Sequence, residues 1–464
     1  MSSLFGTMSI ALQSLLAQQG AMGVTANNIA NANTPGYSRE EPVFEESPPT
    51  LMGSTLVGTG VTMASVESVR DNIINLRIQQ ETSQQSSLGA YVDSMNQAQA
   101  LFNETQGTGL QNYLADFFNS FQSLATNPTS SSLRQAALTA GQDLAAAFSQ
   151  TSQNLSTIQQ GLDQSVVQTI DQVNQLTAQV ADLNQQIQTV SHAGQNPGSL
   201  EDQRDQVLQS LAGLIDTAVV YNGDDTVSVT TTNGTLLVAG NESDPLTVQL
   251  NSTTGMHEVM AQGTDITSAI SGGKLQGLIE ARDHGIPTTQ ASLDNLAAGL
   301  IAAVNQQQQN GFDANGLPGG DFFAAFTPSI PGSNAGAAAT MAMALARPDQ
   351  IAASADGTPG DNGNATAMAA LQNQSISSGQ TPGSYYSNLI DQVGNTVSNA
   401  SSEQEAIQMV LQQLNNQRSA VSGVSLDEEA TNLVLYQRAY EASARVISVI
   451  DELVATTINM VTPS

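Results

Sequence analysis

The chain of 464 residues has no cysteine, no tryptophan and a single lysine, Lys274, and only 11% of its residues are charged. Each shortage excludes something. Without cysteine there can be no disulfide, no thiolate zinc site and no thiol nucleophile. Lys and Arg number 11 against 41 Asp and Glu, for a formal net charge of −30. Such a surface is repelled by phosphate backbones and by anionic lipid, so neither nucleic acid nor membrane is expected as a partner. No run approaches ~18 uninterrupted apolar residues, which argues against a membrane-spanning helix. The opening MSSLFGTMSIALQSLLAQQGAMG has no basic start, and Gln13, Ser14, Gln18 and Gln19 interrupt its apolar run. A cleaved secretory signal is therefore not expected.

What is present is 40% apolar residue, enough for packed cores. The length suggests two or three domains. Gln, Asn, Ser and Thr take the surface positions that charges usually fill.

Both ends of the chain carry seven-residue apolar spacing, which keeps one stripe of a helix turned toward a partner helix. At the start the column is Met8, Leu15, Met22 and Ile29. At the end it is Leu426, Leu433, Tyr440, Ile447, Val454 and Val461, with Val446, Ile450, Leu453 and Met460 widening the face. Packing of each helix on the body of the chain is one reading; pairing with each other and with further copies is favoured. Ser425 followed by Asp427, Glu428 and Glu429 reads as an N-cap with acids where the helix dipole favours them. The first helix runs into ANNIANANTPGYSREEP, in which Asn27, Asn28, Asn31 and Asn33 crowd the helix end and Pro35-Gly36 stops it. Pro-Gly suits the centre of a type II turn.

Between the ends, a Pro-rich patch (Pro42, Pro48, Pro49) leads into short strand-like alternation around Gly58 and Gly60. Helical period then dominates over about 71–190, broken at Gly107 and Gly109 and again at Asn127-Pro128. The longest stripe, from Leu155 through Leu162, Val166, Ile170, Val173, Val180 and Ile187, predicts a helix of roughly 60 residues, a rod ~90 Å long. Ser199 to Asp202 looks like a capping box opening a short helix. After it come β-branched runs punctuated by Asn-Gly and Asp-rich turns, the pattern of antiparallel hairpins. Helical period returns at Leu275, bends near Pro287, and gives way to Ala/Gly/Ser/Pro-rich loops before a last body helix over about 385–421.

The expected fold is mainly α with a β insertion: an elongated multi-domain protein with paired terminal coiled-coil helices, a long helical-bundle rod and a small antiparallel β domain. Its expected divisions are an N-terminal assembly helix and turn (1–64), the first part of the rod (65–215), the β domain (216–273), the second part of the rod (274–422) and a C-terminal assembly helix (423–464).

Chemistry is scarce. His192, His257 and His284 are scattered, without metal-ligand spacing, and read as surface histidines. The segment DANGLPGGD has Leu317 and Pro318 where a calcium loop needs a ligand and glycine, so it reads as a turn. Glu40-Glu41 and Glu45-Glu46 have no accompanying base, nucleophile or pocket. No catalytic residue, cofactor or metal is expected, and the chain is not expected to be an enzyme.

The stretch ANNIANANTPGYSR resembles the N-terminal signature of the bacterial flagellar axial proteins, the family of rod, hook and hook-associated proteins. The ending SGVSLDEEATNLVLYQRAYEASARVISVIDELVATTINMV resembles the C-terminal signature of the same family. Interior blocks, NGFDANGLPGGDFF and IAASADGTPGDNGNATAMAAL, are similar to those of its hook-associated junction members. The resemblance implies a structural subunit between hook and filament whose terminal helices form the inner layer of a hollow axial structure. It implies export unfolded through the flagellar type III apparatus, which the lack of cysteine suits. The partners it implies are further copies in a ring, hook protein, a second junction protein and a cytoplasmic export chaperone. A sibling axial protein (hook, rod or second junction protein) and an exported enzyme on an axial scaffold are the alternatives.

Overall fold

The computed structural model describes residues 2–52, 55–102 and 109–461. Gly107, expected as a helix break, lies outside the described residues. Helix α1, Ser2–Asn31, is followed by a two-stranded ribbon in which β1, Glu40–Glu46, pairs antiparallel with β4, Val61–Ser68. The ribbon is tipped by the hairpin of β2, Thr50–Met52, and β3, Thr55–Val57. Strand β1 was not anticipated, because Pro42 reads as a strand breaker. A two-stranded ribbon has two open edges, so a residue whose N–H points outward loses no ladder bond when it is proline.

The rod begins with α2, Asn72–Leu101, capped by the Asp71 carboxylate on the N–H groups of Ile73 and Ile74. Helix α3, Leu110–Thr126, ends before Asn127-Pro128, and α4 runs Ser131–His192. Its 62 residues make a helix about 93 Å long at ~1.5 Å per residue. One face of α4 is buried from Leu144 and Phe148 through Leu155, Val166, Val173 and Val180 to Ile187. Near its start Phe117, Phe118, Phe121, Phe322 and Phe323 form one cluster, with ring centroids 5.3 Å apart for Phe117–Phe121 and 4.9 Å for Phe322–Phe323. Gly141 permits it: a Cβ there would lie 2.6 Å from the Phe322 ring.

Helix α5, Gly198–Leu214, starts one residue before the expected capping box, and that box does not form. Pro197 is the N-cap and has no side-chain bond. The Asp202 carboxylate is taken instead by Arg70 and by the Ser38 N–H. A short Asp reaches back to its own cap poorly, and a guanidinium plus an otherwise unmet N–H is the stronger competitor.

The β domain follows as two sheets. One has the order β5 (Ala218–Tyr221), β6 (Val227–Thr230), β7 (Leu236–Ala239), β8 (Glu242–Ser243); the other joins β9 (Thr247–Leu250), β10 (His257–Ala261) and β11 (Thr264–Asp265). Two asparagines on α4 fasten it. Asn174 gives its Nδ2 to Leu246 O and accepts Leu246 N, both at 2.8 Å, and Asn184 does the same with Val227 at 2.8 and 3.1 Å. Each amide stands in for a strand neighbour.

His257, expected on the surface, is half-buried and bonded to the buried Asp163. Asp163 of α4 accepts its N–H at 2.8 Å, lies 2.6 Å from its Nδ1, and pairs with the Arg282 guanidinium at 2.7 Å. Burial pushes the Asp163 carboxyl upward, but the two His257 bonds and Arg282 outweigh it and hold the group below its ordinary value. Arg282 lies in a π-helical turn, Ala281–Gly285, between α6 (Gly273–Glu280) and α7 (Ile286–Gln309). The bend expected near Pro287 is this turn, which frees the carbonyls that proline cannot pair. Loops and α8, Gly363–Ala370, lead to α9, Pro382–Ser422, which lies along α2. The chain closes with α10, Leu426–Val461, paired with α1. The fold is mainly α, elongated, with small antiparallel sheets.

Candidate assembly site at the paired terminal helices

The asparagine-rich end of α1 is a junction with the ribbon. Asn28, 1% exposed, gives its Nδ2 to Glu40 O at 2.8 Å and accepts Glu40 N at 3.0 Å. Its Oδ1 also accepts the Tyr37 hydroxyl at 2.8 Å. Burial, and then the carboxylates of Glu40, Asp202 and Glu429, push the Tyr37 phenol well above its usual range, so it remains a donor. Asn27 reaches Tyr37 and Glu40 with its Nδ2, and Asn31 bonds back to Asn27. Asn33 is exposed, and among the described residues no hydrogen bond of the exit uses its side chain.

Pro35-Gly36 form the turn that the sequence suggests. Tyr37 N donates to Thr34 O at 3.2 Å, and Gly36 has φ +82°, as the third position of a type II turn requires. The rod grips this turn by its backbone. Gln206 of α5 donates to Pro35 O at 2.8 Å, Arg418 of α9 to Gly36 O at 2.9 Å, and Asp202 accepts Ser38 N at 3.0 Å. Arg39 N donates to Ser422 O at the end of α9, and its guanidinium pairs with Glu41 and with Glu428 in the first turn of α10. Ser425 Oγ lies 3.5 Å from Glu428 N.

From there α10 runs back along α1. Ser14 and Ser443 hydroxyls meet at 3.0 Å, and the rings of Phe44 of the ribbon and Tyr436 lie tilted by 59° with centroids 6.2 Å apart. Small residues of α1 are buried at its seam with α10 and the ribbon: Ala11, Ala17, Ala21 and Thr25. The expected column of α1 runs beside that seam, with Met8, Leu15 and Met22 half-buried and Ile29 exposed. On α10, Leu433, Tyr440, Ile447 and Val454 are half-buried, Leu426 is exposed, and Ile450 is 4% exposed. The side chain of Val461 lies outside the described residues.

Spacing in the sequence did not reveal which apolar residues stay uncovered. Phe5, Leu12 and Leu16 of α1, at intervals of seven and four, are 58, 51 and 58% exposed. On α10 Leu435, Val446, Val449 and Leu453 form a second stripe, 42 to 60% exposed. Both stripes have the spacing of a packing face. Among the described residues no helix is long and apolar enough to cross a membrane.

Comparison with known proteins places this arrangement. Residues 95–323 match the model of the flagellar hook-associated protein FlgK helical domain. Residues 8–37 match the flagella basal body rod protein model, and residues 416–460 match the flagellar basal body rod FlgEFG protein C-terminal model. Flagellar hook-associated protein 1 of Bacillus subtilis is 32% identical, with 99% of each chain covered. Its counterpart from Escherichia coli is 26% identical over 99% of this chain and 100% of its own. The solved structure of the flagellar hook junction protein FlgK from Burkholderia pseudomallei superposes with a TM-score of 0.66 at 19% identity, covering 75% of this chain and 100% of that one. The end models are shared with rod proteins and the helical-domain model separates the hook-associated group, so the chain belongs to the flagellar hook-associated protein 1 family.

Proposed function

We propose that the protein is a structural subunit of the junction between flagellar hook and filament, and that it self-assembles through α1 and α10. The observation that carries this reading is the pair of uncovered apolar stripes on helices already paired with each other. Each such side chain, already about half covered, contributes roughly 1 kcal/mol more once a neighbour removes the rest of it from water, set against ordering costs of ~1–2 kcal/mol per residue. On this reading the expected columns, Met8, Leu15, Met22 and Ile29 with Leu426, Leu433, Tyr440, Ile447, Val454 and Val461, supply further assembly contacts. The exit turn, with Asn27, Asn28, Asn31, Asn33, Pro35 and Gly36, ends α1 at a fixed level.

On this reading the chain is divided as 1–64 and 423–464 for assembly, 65–215 and 274–422 for the rod, and 216–273 for the β domain. It is exported by the flagellar type III route, with a cytoplasmic chaperone, and meets hook protein on one side and the second junction protein on the other. The role is mechanical, not catalytic. Electron microscopy of a deletion strain tests it: hooks without filaments, with flagellin lost to the medium, support a junction role. Rods without hooks point to an earlier axial component.

A further inference from the structure

The junction between terminal helices and rod depends on a residue that no apolar pattern marks. We infer that Asp202 is a positioning residue, a latch that holds both legs of the β1–β4 ribbon on the rod and so fixes the angle at which α1 and α10 are presented. The inference rests on the assembly reading above for its purpose, though not for its geometry.

Asp202 sits on the first turns of α5 and is 6% exposed. One oxygen, Oδ2, accepts the N–H of Ser38, two residues before β1 begins. The other, Oδ1, accepts Nη2 of Arg70 at 2.8 Å, two residues after β4 ends. A single carboxylate therefore joins the outgoing and the returning leg of the ribbon, and Val69 N to Arg39 O at 2.8 Å closes the two legs on each other. Arg70 is itself held by Gly198 O at 2.5 Å and Glu201 at 2.9 Å, so the returning leg is tied to the N-terminal turn of the same helix. Helix α1 rides on the ribbon through Asn28 and Glu40, and α10 rides on α1. The other rod contacts of the outgoing leg, from Gln206 to Pro35 O, from Arg418 to Gly36 O, from Arg39 N to Ser422 O and from Asn196 to the Glu40 carboxylate, each reach that leg alone. Without Asp202 the outgoing leg keeps those bonds and the returning leg keeps what Arg70 finds at Gly198 and Glu201, but among the described residues no other rod side chain bonds both legs.

The latch lies between two of the chain's few tryptic sites. Lys and Arg total 11, so cleavage after Arg39 and after Arg70 is easily separated from the rest. Limited trypsin digestion of the full native chain, followed by mass spectrometry, reads the latch directly. Cleavage of a transiently opened segment follows the open population, and loss of a charge-assisted bond should raise cleavage after Arg39 and Arg70 about tenfold in Asp202→Ala. Cleavage after Arg134 and Arg282, buried in the rod, should stay at the native rate. Asp202→Asn keeps an acceptor but not the charge and should fall between the two. Unchanged cleavage after Arg39 and Arg70 in both variants overturns the latch. So does a uniform rise at all sites in both variants, which would mark Asp202 as a general stabiliser of α5. The assembly reading is judged separately, by incorporation of variants in the apolar stripes: the digestion result holds whether or not that reading survives.

Discussion

In the rod the residues shielded completely include large ones: Phe117, Phe121, Phe148 and Phe322 are all 0% exposed. In the terminal pair they are small, Ala17 at 3% and Ala21 at 0%, while Phe5 and Leu16 face outward at 58% each. The two regions differ little in how helical they are. They differ in where the apolar volume goes. The rod turns most of its bulk inward; the pair buries small residues of α1 and leaves large side chains uncovered, which on the proposed function are kept for neighbours. On that proposal one polypeptide holds both a fixed body and an interface finished only in company.

The largest effect should come from the rod. Phe117→Ala removes the ring at the centre of the aromatic cluster and should cost about 3–5 kcal/mol, measured by denaturant unfolding of the purified chain. A loss below about 1 kcal/mol would mean that the rod core is as unfinished as the pair.

Next comes the polar fastening of the β domain. With its pKa lowered in the fold, Asp163 contributes stability that is present above its ordinary value of 3.8 and is lost as pH falls through the lower folded value. Asp163→Asn should cost roughly 1–3 kcal/mol at neutral pH and should flatten the acid limb of a pH–stability curve. An acid limb of unchanged steepness would show that other carboxylates carry it.

A smaller effect, confined to the exit, is expected from Gly36→Ala. The left-handed conformation costs an L-residue about 1–2 kcal/mol. A Cβ at this position would also lie 2.4 Å from Gln206 Nε2, the amide that holds the turn. Hydrogen exchange should rise at Tyr37 and Arg39 and not in α4. Exchange that rises equally in α4 would mean that the turn and the rod open as one unit.

Much of this comparison was legible in the sequence, for physical reasons that also explain what was not. Helix α4 could be read because its buried stripe is a local property, set by residues three and four apart. The Pro35-Gly36 turn and the hairpin pattern of the β domain are local as well. The asparagines are different: Asn28, Asn174, Asn184 and Asn305 each bond a distant backbone at both ends of the amide, and nothing near them in the chain says which. In a chain this poor in charge they do work that ion pairs often do elsewhere. His257 and Asp163 are 94 residues apart, and Asp202 and Ser38 are 164 apart, so both sites were invisible to spacing. The columns Met8 to Ile29 and Leu426 to Val461 mark the helices that pair, but period alone could not divide the inner seam from the outer stripe, since both repeat at nearly the same interval.

The most direct test of the central claim is therefore made on the outer stripe. Leu453 is 48% exposed and belongs to it, whereas Ser448 is exposed on another face of the same helix. Leu453→Asp and Ser448→Asp would each be supplied to a strain lacking the protein, and the amount of variant at hook tips measured by immunogold labelling alongside the melting temperature of the purified chain. The account predicts native melting for both, native incorporation for Ser448→Asp, and incorporation of Leu453→Asp reduced to background. Leu453→Asp incorporated at the native level would contradict it, because the apolar stripe of α10 would then have no neighbour to meet.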